Sequence, residues 1–149
     1  SVSSAASDVY KRQINTSSMA GIIVGPALAP YTTTKHAVVG LTRTLHEDLA
    51  DNDKVGVSVL CPGLVQTNII ERDHLGLDLD ESSIDQHESA KNNAQWLADG
   101  VKEGMSPEDL ATIVFKKIEN NEFWILTHPE FVGVYSGYST ELIESSTKE

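Results

Sequence analysis

The run VGVSVLC, Val55–Cys61, constrains the fold more than any other stretch of the chain. It holds no charge, Ser58 is its one hydroxyl, and Pro62-Gly63 cuts it off. A short apolar segment rich in β-branched residues suits a strand buried on both faces. A strand of that kind belongs inside a sheet with helices packed above and below it.

The flanking segments supply those helices. Pro30 to Ala50 reads as a helix, with Pro30 in the first turn. Thr34, Val38, Leu41, Leu45 and Leu49 recur at helical spacing and predict one apolar stripe. Glu47, Asp48 and Asp51 stand against the dipole at the end of that helix. A weaker helical pattern runs over 83–103 through Ile84, Ala90, Ala94, Leu97 and Val101. Ser106 caps a further helix, with Pro107 at its first position and Asp109 closing an S-x-x-D box. Its buried face is expected to be Leu110, Ile113, Val114 and Ile118. Glu122 to Thr127 reads as a strand with Trp124 in the core, and the polar tail from Glu141 is expected to fray.

Ahead of the first helix, Ile14 reads as the last residue of a strand breaking into the loop NTSSMAG. Strands alternating with helices give an α/β fold with a parallel sheet. Right-handed crossovers then bring the ends of two strands, at Asn15–Ser18 and Pro62–Thr67, to one carboxyl edge. Open α/β sheets bind their ligands at that edge.

Composition removes several function classes. The net charge of −11 disfavours nucleic acid, whose phosphates need clustered Lys and Arg. Cys61 is the one cysteine, so no internal disulfide forms; it reads as a buried packing residue. That suits a reducing compartment, and we expect a cytoplasmic protein. No apolar stretch reaches the roughly 18 residues of a membrane helix. The five histidines show no ligand spacing, and no metal is expected.

Residues 1–13, SVSSAASDVYKRQ, carry no periodicity. Ser3 to Gln13 is also what a common transposase-based sequencing adapter encodes when read in frame. We read 1–13 as a non-native leader and 14–149 as the native part.

Tyr31 and Lys35 stand four residues apart, on one face of the first helix. An ammonium beside a phenol favours the phenolate. By spacing alone the ordinary reading is a solvated surface pair. Ser18 changes the picture, because it falls at the end of a strand on the ligand edge. A hydroxyl there can hold a substrate oxygen beside a tyrosine that moves its proton. Ser17 and Ser18 can equally be turn residues bonding the local backbone.

Together, NTSSMAG, PYTTTKHAVVGLTRTL and VGVSVLCPGLVQTNI resemble the short-chain dehydrogenase/reductase family, in that family's order and spacing. The resemblance runs from Ile14 to about His128. It implies the C-terminal part of a Rossmann-type, doubly wound, three-layer αβα domain truncated at its N-terminus. It further implies an NAD- or NADP-dependent oxidoreductase that moves a hydride to or from a small-molecule carbonyl or alcohol carbon. In that reading Tyr31 is the acid/base, Lys35 lowers its pKa and holds the nicotinamide ribose, and Ser18 orients the substrate. Pro62 and Gly63 form the turn over the nicotinamide, while Val65 and Thr67 contact its carboxamide and phosphate side.

Residues 68–104 correspond to the family's substrate lid, where Ile69, Ile70 and Leu75 can line a pocket or simply pack. The glycine-rich turn of the family's dinucleotide site has no counterpart, since Gly21 and Gly25 follow the serine motif. The chain is therefore expected to expose apolar surface and to be inactive by itself. The resemblance also implies a homodimer or homotetramer of the full-length protein paired through the first helix, where Ala37 and Gly40 are small residues. The alternative is a non-enzymatic relative that uses the fold for binding or assembly.

Overall fold

The computed structural model describes residues 11–70 and 88–147. Strand β1 is Lys11–Thr16, helix α1 Ala29–Asp48 and strand β2 Val55–Cys61. Helices α2, Glu88–Lys102, and α3, Pro107–Glu119, lead to strand β3, Trp124–Leu126, and helix α4, Val132–Ser146. The sheet has the order β1-β2-β3 and both pairings are parallel. The chain is thus α/β with a partial, three-stranded parallel sheet.

β2 is the middle strand, and Val57 through Cys61 are all buried, as its uninterrupted apolar run predicts. Val59 and Cys61 pack with Met19 and Ile22, from the turn after β1, to form the core. α1 lies on β1 and β2, and α3 packs against β3. Ser58 is fully buried, yet satisfied: it accepts from Arg12 Nη1 at 2.6 Å and donates to the Glu122 carbonyl at 2.7 Å. This polar chain links β1 and β2 to the segment that leads into β3. Glu122 also pairs with Lys117, and that hydrogen bond holds its carboxyl below the usual range.

Several elements differ from expectation. β1 has a body: Lys11, Arg12 and Gln13 pair with Val55, Gly56 and Val57. The boundary after Gln13 is therefore no break in the sheet; residues 1–10 of the expected leader lie outside the described residues. Backbone pairing asks little of the side chains, so an edge strand need show no apolar pattern.

The stripe predicted for α1 is rotated. Thr34 and Leu41 face outward, Leu41 at 67 % exposure, and the point of closest packing is the fully buried Thr42. Its hydroxyl accepts from Asn15 Nδ2 at 3.0 Å and donates to the Val38 carbonyl at 2.6 Å. A polar contact thus holds the seam that a leucine was expected to fill. Arg43 forms an ion pair with Glu47 at 2.8 Å, which eases the acidic end of α1.

Ile125, not Trp124, is the buried residue of β3. Trp124 packs edge-on to Phe123 with ring centroids 5.1 Å apart. The tail beyond Glu141 continues as α4 to Ser146. The lid pattern is helical from Glu88 onward; Ile84 and Leu75 lie outside the described residues.

Candidate active site

The parallel sheet sends the ends of β1 and β2 to the same edge, and a cavity of about 760 Å³ opens there. Ser18, Tyr31, Lys35, Pro62, Gly63, Val65 and Thr67 all line it. The structure therefore brings the catalytic and cofactor-contacting candidates from the sequence to one cavity.

Each is placed by a local device. β1 ends where Ser17 N–H donates to the Leu60 carbonyl at 2.8 Å. The chain then turns through the short helix Met19–Gly21, which Ser18 caps by accepting from Ala20 N–H at 3.1 Å. The Ser18 hydroxyl also reaches the Pro62 carbonyl at a long 3.4 Å, so its hydrogen remains available to an incoming oxygen.

The turn is pressed against α1. Ser17 Oγ donates to the Lys35 carbonyl at 2.8 Å, and Gly21 leaves no room for a side chain between them. Ser18 is thereby fixed relative to the helix that carries Tyr31 and Lys35. One turn of that helix separates the latter two, and Lys35 Nζ lies 5.5 Å from the centre of the Tyr31 ring. Lys35 is the one charged side chain on the cavity wall among the described residues, and no carboxylate there pairs with it.

The loop after β2 is anchored from two sides. Gly63 N–H donates to Thr127 Oγ1 at 3.0 Å, and the His128 ring lies against Gly63 so closely that a Cβ would overlap it. Further on, Met105 N–H donates to the Leu64 carbonyl at 3.0 Å and Gln66 N–H to the Met105 carbonyl at 2.9 Å. Val65 and Met105 form a parallel bridge, which leaves the N–H and C=O of Val65 on the side away from Met105. An amide donor and acceptor are thus offered side by side.

Cys61 ends β2 beneath this site and is fully buried. Burial pushes its thiol up to about 11, against smaller opposing effects from the Ser18 backbone, Lys35 and Ser17. It behaves as a packing residue rather than a nucleophile. No group of three or more His, Cys, Asp or Glu side chains among the described residues is arranged to hold a metal. No helix of the described residues is long and apolar enough to cross a membrane.

A family model described as short chain dehydrogenase matches residues 11–76. That stretch contains the cap serine, the Tyr31–Lys35 pair and the loop after β2. The chain belongs to the short-chain dehydrogenase family. A CLA biosynthesis dehydrogenase/reductase of Lactiplantibacillus plantarum is 32% identical over 122 residues, covering 79% of this chain and 43% of the relative. A 1-deoxy-11-beta-hydroxypentalenate dehydrogenase of Streptomyces exfoliatus is 31% identical over 117 residues, covering 78% of this chain and 35% of the relative. Among solved structures, a short-chain dehydrogenase/reductase from Burkholderia phymatum in complex with NAD superposes with a TM-score of 0.78 at 32% identity. That match covers 91% of this chain and 50% of the other. The chain spans half or less of the length of these short-chain dehydrogenase relatives.

Sequence reasoning missed the residues that position the site. Ser17 and Gly21, which seat the turn on α1, looked like generic loop residues. Thr127 and His128 anchor Gly63, but their partner lies more than sixty positions away in sequence. The signal for Gly21 was present: a glycine that follows an apolar turn and packs under a helix.

Proposed function

We propose that the full-length protein is a nicotinamide-dependent oxidoreductase acting on a carbonyl or alcohol carbon, with Tyr31, Lys35 and Ser18 as its working groups. The observation that carries this reading is their convergence on one cavity at the carboxyl edge of the sheet, with the ammonium of Lys35 against the Tyr31 ring.

The residues present fit the nicotinamide end of NAD or NADP. The paired N–H and C=O of Val65 suit a carboxamide. Lys35 has donors to spare for ribose hydroxyls, and Pro62 and Gly63 flank the same space, with Thr67 further along toward the phosphate side. When bound, the nicotinamide supplies or accepts the hydride. The chain's own part is to place the substrate and move the proton. Ser18 donates its hydroxyl hydrogen to the substrate oxygen. Tyr31 gives its phenolic proton to that oxygen during reduction and takes it back during oxidation. Lys35 stabilises the phenolate left on Tyr31, because opposite charge within a few ångströms favours the ionised form.

Replacement of Tyr31 by Phe in the full-length protein tests the assignment. Loss of a positioned acid/base costs about 10²–10⁴ in rate, so kcat should fall by at least about a hundredfold while cofactor binding is retained. Unchanged NAD(P)H oxidation by the variant refutes the role. Retained binding with no turnover in the unaltered protein favours a binding or assembly function.

A further inference from the structure

We propose that the substrate is an uncharged carbonyl or alcohol compound with a large apolar body. The inference rests on the oxidoreductase reading and concerns the apolar part of the same cavity's lining. Its walls there come from Val24, Ile69, Ile70, Trp96, Leu97 and Phe131. Four of these are left open: Val24 at 57 %, Ile69 at 67 %, Ile70 at 39 % and Trp96 at 54 % exposure. Exposed apolar side chains scattered singly need no explanation, but these converge on one concavity.

Charge points the same way. Among the described residues no arginine, histidine or second lysine lines the cavity, and Lys35 is committed to the tyrosine and the ribose. Among the described residues a substrate carboxylate or phosphate would lose its hydration and meet no cation besides Lys35. Among the described residues Asn93 on α2 is the one side-chain amide in the cavity lining, enough to orient a second neutral polar group. The volume of about 760 Å³ takes the nicotinamide end of the cofactor and leaves room beside it for more than a four-carbon ketone. On such a wall each methylene withdrawn from water strengthens binding about fourfold.

The test compares 2-butanone, 2-decanone and 9-oxodecanoate on the full-length protein. Two readouts are used: NAD(P)H oxidation, and quenching of Trp96 fluorescence without cofactor. Comparison with the Trp96→Phe variant identifies the part of the quenching that belongs to Trp96, which lines the cavity. The expected result is at least a tenfold gain in kcat/KM and in affinity from 2-butanone to 2-decanone. The keto acid of the same length should lose at least tenfold against 2-decanone. Trp96→Ala should erase most of the gain in kcat/KM and in affinity for 2-decanone over 2-butanone. Equal affinity for the three, preference for the keto acid, or no binding of 2-decanone overturns the inference. Length-dependent binding without any turnover upholds the apolar ligand and defeats the oxidoreductase reading instead.

Discussion

Gly21 is the position where one methyl group should separate folding from function most clearly. A Cβ there would sit 2.3 Å from Ser17 Oγ, 2.8 Å from the Lys35 carbonyl oxygen and 2.9 Å from Val39 Cγ2. The Ser17 side chain can swing away, but the Lys35 oxygen belongs to the backbone of α1. To restore an ordinary contact the turn must retreat by about 0.6 Å, an overpacking strain of about 1–3 kcal/mol. The 2.8 Å bond from Ser17 to Lys35 is lost with it, at about 1 kcal/mol. Gly21→Ala should therefore destabilise the protein by about 2–4 kcal/mol. Because Ser18 caps the same turn, its hydroxyl moves relative to Tyr31, and kcat should fall about 10- to 100-fold in the molecules that remain folded. Urea unfolding and initial rates measure the two effects. Gly137→Ala is the control: its Cβ would meet nothing within 4 Å in the interior of α4, so helix propensity alone should raise stability by about 1 kcal/mol. Gly21→Ala within 0.5 kcal/mol of the parent, with unchanged kcat, would refute the view that the turn is seated by contact with α1.

Two further outcomes follow from the geometry. Cys61, raised to about 11 by burial, should resist iodoacetamide at pH 8 in the folded protein and react at the rate of unfolding. The raised value also means that the unfolded chain gives up the thiol proton first, so this contribution to stability is intact below the ordinary thiol range and is lost as pH rises toward 11, which alkaline urea titrations would register. Ser106 accepts from Asp109 N–H at 3.1 Å and donates to the Asp109 carboxylate at 2.7 Å, so Ser106→Ala should cost about 1 kcal/mol in urea unfolding, with Tyr31-dependent chemistry untouched.

Much of this was legible in the sequence because local and global signals agreed. The unbroken apolar run of β2 announced a doubly covered strand, and the S-P-x-D start of α3 announced its cap. Once parallel strands are inferred, the carboxyl edge follows, with Ser18 and the loop after β2 on it; that Tyr31 and Lys35 join them is what the family resemblance implies. What failed were features set by tertiary contact. α1 presents Thr42 rather than Leu41 to the sheet because Asn15 supplies a hydrogen-bond partner that periodicity does not encode. β1 extends back to Lys11 because the free edge of β2 accepts any backbone, whatever its side chains. The anchoring of Gly63 by Thr127 and His128 spans the fold and leaves no pattern in either segment.

The outward face of α1 around Gly40 and Leu41 stays uncovered within one chain. We propose that a second copy covers it in the full-length protein, consistent with the small residues on that face.

The central claim is hydride transfer to a carbonyl carbon at the Tyr31–Lys35–Ser18 cavity. Its most direct test is label transfer: the full-length protein is incubated with 2-decanone and NAD(P)H deuterated at C4 of the nicotinamide, on each face in turn. The account predicts that one of the two labelled cofactors places a single deuterium on the carbinol carbon of 2-decanol. Unlabelled cofactor in D₂O should leave that carbon unlabelled. Failure of both labelled cofactors to deliver deuterium to that carbon, or its labelling from D₂O, would contradict hydride transfer at this cavity.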